Sequence, residues 1–312
     1  MRMYPLNSPL RSLATLGLLA SLCSFAVGQA TPADAPPATA MANASPAPAT
    51  VPPLKGIAHI AIRVKDLQAA MDFYHKLGFE QPFDMKRGDV TTQAFIKIND
   101  RQYIELYPVD ERNSQVGFLH LCFEGGDLNP IHDYYVAEGL TPIAVRKAGA
   151  GNMLFTLKGP QQFSEPQNIE YTQYMPGSRH SNDFGQHLGP DRVGDKMTVV
   201  ALAMQDSAAA RSFYLDKLGF KPSSTNPDRL DLPGGDSGEQ VEIVPVSELG
   251  PRSSIVLSTP DLNKAEAQLK RQQVVYKRAS ASATDGKGKM RTVDMISVTD
   301  PDGNVIRIQQ AQ

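Results

Sequence analysis

The stretch Ile57–Glu80, IAHIAIRVKDLQAAMDFYHKLGFE, holds an alternating apolar run that stops at Asp66, a helical pattern, and a glycine before the chain resumes as a strand. Leu67, Met71, Tyr74 and Leu77 fall at helical spacing. Asp66 stands where an N-cap would accept the free amides of the first turn, and Gly78 supplies the left-handed stop. The order returns at Val199–Pro222, VVALAMQDSAAARSFYLDKLGFKP, with Asp206 and Gly219 in the same places. Asp127 with Gly139 opens a further copy, and Asp261, followed by Leu262, Ala265 and Leu269, a fourth that lacks the glycine. Short β-rich runs follow each helix: Thr91–Ile98, Tyr103–Val109, Met153–Leu157, Gln167–Tyr174, Gln240–Val246 and Val293–Val298. The repeating unit is strand, helix, then about three strands.

No such unit buries both faces of its sheet alone, so the units pair. The expectation is an α+β chain of two tandem domains, each of paired βαβββ units forming a curved, partly open mixed sheet with helices on its outer face. The first domain covers 55–176 and the second 196–312. The polar, Gly-rich segment 177–195 connects them. Ahead of them, Arg2 and Arg11 precede the apolar run Leu13–Val27, and small residues follow, so 1–28 reads as an export signal. The alternative is an uncleaved N-terminal anchor, although about 15 apolar residues is short for a membrane span. Residues 29–54 form an Ala/Pro-rich linker. With the signal removed Cys122 is the one remaining cysteine, so no intramolecular disulfide can form. The expected address is the periplasm or the exterior.

A formal charge of −2 and a pI near 6.3 give no electrostatic footprint for nucleic acid or an anionic membrane. With 41% apolar and 21% charged residues in 312, the chain is of ordinary globular composition. The function sought is on a small molecule, by a monomer or a homodimer.

The runs FYHKLGFE and FYLDKLGFK, the closing DPDGNVIRI and the βαβββ unit itself resemble the vicinal oxygen chelate superfamily over nearly the whole chain after residue 55. That superfamily includes glyoxalase I, methylmalonyl-CoA epimerase, extradiol dioxygenases and bleomycin-resistance proteins. It spans enzymes and binding proteins, so the resemblance speaks to fold more than to function.

Strand alternation shows which polar residues converge. Ile60, Ile62 and Val64 form one face of their run and leave His59, Ala61 and Arg63 on the other. By the same rule Leu119, Leu121 and Phe123 oppose His120, Cys122 and Glu124; Ile104 and Leu106 oppose Tyr103, Glu105 and Tyr107; Ile169 and Tyr171 oppose Glu170. Two imidazoles and two carboxylates on the open side of a curved sheet suit one divalent transition metal, whether Zn, Ni, Co, Fe or Mn. The resemblance implies the same set, with His59 and His120 from the first strand of each unit and Glu105 and Glu170 from the last. In the second domain Val199, Ser254 and Arg307 stand opposite His59, His120 and Glu170, and only Glu242 survives, opposite Glu105. That domain is expected to be structural or to cover the first.

Tyr103, Tyr107, Thr156 and Lys158 share the presumed cavity face and are candidates for substrate contact. His75 and His132 read as solvated helix residues, and His180 and His187 as loop residues, within reach of the open sheet as a lid. Ala281–Lys289 reads as a loop and lacks the strand-to-helix context of a phosphate loop.

The metal would act as a Lewis acid on an enediolate or enolate, with Glu170 or Glu105 as the proton-transfer base, as in the glyoxalase-like and epimerase-like relatives. That predicts a lyase or isomerase on a small carbonyl compound. An extradiol-type Fe(II) dioxygenase, built on two His and one carboxylate, is the second reading, and a fourth ligand at Glu105 works against it. A sequestering protein of the bleomycin-resistance type is the third. Export fits poorly with a strict glyoxalase I role, because glutathione and methylglyoxal are mainly cytosolic.

Overall fold

The computed structural model describes residues 50–311 apart from 225, 236 and 285–289, so the signal and nearly all of the linker lie outside the described residues. The first domain runs β1 (Leu54–Val64), α1 (Leu67–Lys76), β2 (Glu80–Arg87), β3 (Val90–Lys97), β4 (Tyr103–Pro108), β5 (Gly117–Gly125), α2 (Leu128–Ala137), β6 (Arg146–Lys147), β7 (Met153–Gln161) and β8 (Pro166–Gln173). A one-turn helix, α3 (Arg179–Asn182), lies in the connection. The second domain runs β9 (Lys196–Met204), α4 (Ser207–Asp216), β10 (Lys221–Pro222), β11 (Arg229–Asp231), β12 (Gln240–Pro245), α5 (Val246–Leu249), β13 (Ser254–Thr259), α6 (Leu262–Arg271), β14 (Tyr276–Thr284), β15 (Met290–Thr299) and β16 (Val305–Gln310). Ala281–Thr284, read from sequence as loop, complete β14, and 285–289 fall outside the described residues.

Each domain is one open, mixed sheet of eight strands with its helices outside. The orders are β2-β3-β4-β1-β5-β8-β7-β6 and β10-β11-β12-β9-β13-β16-β15-β14. Within a unit the first strand pairs parallel with the last, β1 with β4 and β5 with β8. The units join at the centre through the antiparallel pair β1–β5, repeated as β9–β13.

The capping signals hold at all four helices. Asp66, Asp127, Asp206 and Asp261 accept backbone amides from Ala69, Asn129, Ala209 and both Asn263 and Lys264, at 2.9–3.0 Å. Gly78, Gly139 and Gly219 take positive φ, 74–84°, after their helices. Helix α6, which has no glycine behind it, stops the same way with Gln273 at φ 55°, a conformation that costs a side-chain residue about 1 kcal/mol.

Alternation fails at one place. The β1–β5 register slips between Ile57 and His59, and again between Ala61 and Ile62, so that Ile62 pairs with Phe118 and not with Leu119. The partly buried Phe118 therefore packs on the core, and both it and Leu119, assigned to the apolar face from sequence, line a surface cleft. The first bulge lets Ile57 and Ile60, three apart, share the buried face with Phe123 and Leu121.

The core runs through both domains without a break: Phe220, just after α4, meets Phe123 on the first sheet with ring centroids 5.4 Å apart. Buried polar contacts fix the fit. Gln102 donates to the Met197 carbonyl and accepts its amide, at 2.9 and 2.7 Å, Gln167 donates to the Tyr214 hydroxyl at 2.7 Å, and Tyr74 donates to Asp300 at 3.3 Å. Glu239 of the second domain accepts the amide of Ile57 on β1. Among the described residues no helix is long and apolar enough to cross a membrane.

Burial raises the Glu239 carboxyl to about 7, against the opposing pull of Ile57 and Lys196. A carboxyl that is harder to ionise when folded stabilises the fold fully below its unfolded value, near 4.3, and loses that contribution as pH rises through about 7. The contribution is on the order of 3 kcal/mol. Urea midpoints measured from pH 4.5 to 8 should therefore fall more steeply for wild type than for Glu239→Gln, and equal slopes would remove this carboxyl from the interface account.

Candidate metal centre

The central pairing brings the four candidate ligands side by side. His59 on β1 sits opposite Cys122 on β5, and Cys122 opposite Glu170 on β8; one row along, Glu105 on β4 faces Ala61, and Ala61 faces His120. His59, Glu105 and His120 are buried, and Glu170 is nearly so.

His59 is the hub. Its Nε2 lies 3.1 Å from Nε2 of His120 and 3.4 Å from Oε1 of Glu170, and its Nδ1 lies 3.4 Å from Oε1 of Glu105. Glu105 is held from behind, since its Oε2 accepts from Gln93 Nε2 at 2.6 Å and from the Tyr107 hydroxyl at 3.0 Å. Two triads, His59–Glu105–His120 and His59–Cys122–Glu170, each place one ligand atom per residue within 4.8 Å of the others.

Desolvation is the largest single influence on each of the four groups and decides the direction at two of them. It lowers His120 to about 4 and raises Glu105 to about 7. On His59 burial is outweighed by Glu105 and Glu170, which leave it raised. On Glu170 it is outweighed by the hydrogen bond from His59 and the charge of His120, which bring it down to about 2. Two imidazole nitrogens facing each other in a dry site, with carboxylates at hand and His59 Nδ1 lacking a hydrogen-bond partner, are a donor set that a divalent cation fits.

Two cavities flank the cluster and share Tyr107 in their linings. One, of about 210 Å³, is lined by His59, Glu105, Tyr107, Glu170, Tyr174 and His180. The other, about 650 Å³, opens beside His120 and Tyr107 toward the second domain, with Arg63, Lys158 and Arg252 on its walls. Of the proposed substrate contacts, Tyr107 lines both cavities and Lys158 the larger. Thr156 pairs with Glu170 across β7–β8 and lines neither. Tyr103 is fully buried, packed edge-on against His180.

Three participants were not legible as such. Cys122, placed on the open face from sequence but given no role there, lies in the row between His59 and Glu170. Gln93 comes from a strand given no polar assignment. His180, read as a loop residue, is 3% exposed. Its segment is pulled in by Lys97, a fully buried lysine whose Nζ donates to the Asp183 carboxylate, the Asp183 carbonyl and the Gln186 carbonyl at 2.6–2.7 Å and sits 2.9 Å from Asp100. Lysines of this kind leave no periodic pattern in a sequence.

The second domain keeps the register and changes the chemistry. Val199 pairs with Gln240, Glu242 and Ser254 both pair with Ala201, and Arg307 pairs with Val256. Arg307 and Arg229 lie 3.9 and 3.7 Å from Glu242 Oε2, so fixed cations balance the surviving carboxylate.

Paired βαβββ units around a His/Glu cluster on the open face define the vicinal oxygen chelate class. The family model for the Glyoxalase/Bleomycin resistance protein/Dioxygenase superfamily matches residues 56–170 and again 196–308, and the chain belongs to that superfamily. No curated protein matches the sequence. Among solved structures, a Mn(II)-bound glyoxalase from Novosphingobium aromaticivorans superposes with a TM-score of 0.62 at 14% identity, over 83% of this chain and 82% of that one. The 2,3-dioxygenase LapB from Pseudomonas sp. KL28 gives 0.54 at 13%, over 83% and 93%. Homoprotocatechuate 2,3-dioxygenase from Arthrobacter globiformis gives 0.55 at 15%, over 86% and 84%. At such identities the likeness carries the fold alone.

Elemental analysis of purified protein should find about one transition metal per chain. His59→Ala and His120→Ala should lose it and Glu242→Gln should retain it; unchanged content in the histidine variants would rule out the site.

Proposed function

We propose that the protein is an exported, metal-dependent enzyme that moves a proton on a small carbonyl compound, as a glyoxalase-like or epimerase-like lyase or isomerase. The observation that carries this reading is the cluster of His59, Glu105, His120 and Glu170, of which three line the smaller cavity and His120 the larger. These four residues would hold a divalent metal, whose contribution when bound is Lewis-acid stabilisation of negative charge on a substrate oxygen. Glu170, the least buried of the four and a lining residue of the smaller cavity, is one base candidate. Glu105 has Oε2 committed to Gln93 and Tyr107, which leaves Oε1 to take a proton. Burial excludes water from the exchange and strengthens each charge interaction within it.

The larger cleft favours a negatively charged compound. Arg63, Arg112, Lys158 and Arg252 line it against a single acid, Glu165. The extradiol dioxygenase reading is weaker because a second carboxylate, Glu105, stands in the same cluster. The run Leu13–Val27 and the linker behind it support export to the periplasm or beyond, for which a mature N-terminus near Gly28 or Ala30, read by N-terminal sequencing, is the expected result.

The activity is separable by two assays on metal-loaded protein. Deuterium should exchange from solvent into dihydroxyacetone or lactaldehyde, stop on chelation and return with metal, while catechol elicits no oxygen uptake. Oxygen uptake without exchange would replace this reading with the dioxygenase, and tight binding with neither turnover would replace it with a sequestering protein.

A further inference from the structure

We propose that His180, from the interdomain connection, is a further substrate-binding and catalytic residue: an uncharged imidazole whose Nε2–H donates to an oxygen of the bound carbonyl compound. This rests on the metal-centre reading and adds a residue that neither the repeat nor the ligand pattern marks.

The chain of hydrogen bonds fixes the proton. The Met175 backbone N–H can only donate, and it meets Asn152 Oδ1 at 3.2 Å. The other end of that amide is therefore Nδ2, which lies 2.9 Å from His180 Nδ1 and must donate to it. Nδ1 is then an acceptor, and the ring proton resides on Nε2. That nitrogen is buried, has no hydrogen-bond partner, and belongs to a ring lining the same 210 Å³ cavity as His59, Glu105 and Glu170. A buried N–H without a partner costs about 1–3 kcal/mol, so an oxygen brought into the cavity within reach of it gains a donor already desolvated.

The ring is also held still. Tyr174 stacks on it at 5.1 Å, and Phe83, Phe95 and Tyr103 close on it edge-on at 4.8–5.4 Å. Tyr174 is itself tied by its hydroxyl to the Arg101 carbonyl at 2.8 Å, and Ser178 caps the turn that carries His180. Burial keeps the imidazole neutral, pushing it down to about 3. A neutral donor suits an oxygen whose negative charge grows as a proton is removed, because it binds that charge without surrendering its own proton.

Acetohydroxamate, whose two adjacent oxygens mimic an enediolate, is the probe. Calorimetry on Mn(II)-loaded full-length protein should show His180→Phe binding it about 10- to 100-fold more weakly than wild type, with metal content unchanged and with His180→Gln, which keeps an amide donor, recovering part of the loss. Long-range 1H–15N spectra should report the Nε2–H form at His180 from about pH 5 to about pH 8, replaced in Asn152→Asp by the Nδ1–H or doubly protonated ring. Equal binding by wild type and His180→Phe, an Nδ1–H tautomer in wild type, or metal loss in His180→Phe would each overturn the proposal alone. Wild-type protein that takes up no metal would overturn it together with the reading on which it rests.

Discussion

The antiparallel pairing of β1 with β5 is the contact on which the rest of the molecule depends. It closes two incomplete sheets into one of eight strands and sets the histidine-bearing strands next to each other. With neighbouring strands about 4.8 Å apart, residues on four adjacent strands can reach a common point only if their registers agree. The bulges beside His59 and His120 keep the apolar residues buried while the imidazoles face the concavity. A one-residue slip without them would turn a candidate ligand into the core.

Much of this was legible because capping and periodicity are local. Each of the four aspartates sits at a helix start for a reason confined to its own first turn. The two-domain division and the four converging His and Glu residues likewise follow from period-two alternation plus repetition. Alternation gave way at Leu119, where a bulge inserts an extra residue and Phe118 packs against the core in its stead. The missing glycine after α6 turned out to need no substitute turn, since Gln273 accepts the strained geometry itself.

What escaped the sequence came from long-range polar contacts. Lys97 looks like any strand lysine among its neighbours, yet it is the anchor of residues 183–186, about ninety positions away. Taking an ammonium out of water is costly unless several acceptors surround it. Here a carboxylate and two carbonyls do so at hydrogen-bond distance, with a second carboxylate close by, and the segment that supplies most of them brings His180 in over the site. Composition identified 177–195 as a connection; only the fold shows it as one wall of a cavity.

The two concave sites answer one electrostatic problem in opposite ways. In the second domain the cations belong to arginine side chains and stay whatever the solvent contains. In the first, the compensating charge would be that of a metal held by His59, Glu105, His120 and Glu170, which is exchangeable. Withdrawal of a metal held there would thus unbalance one half of the molecule and leave the charge balance of its twin, set by Arg229 and Arg307 beside Glu242, as it was.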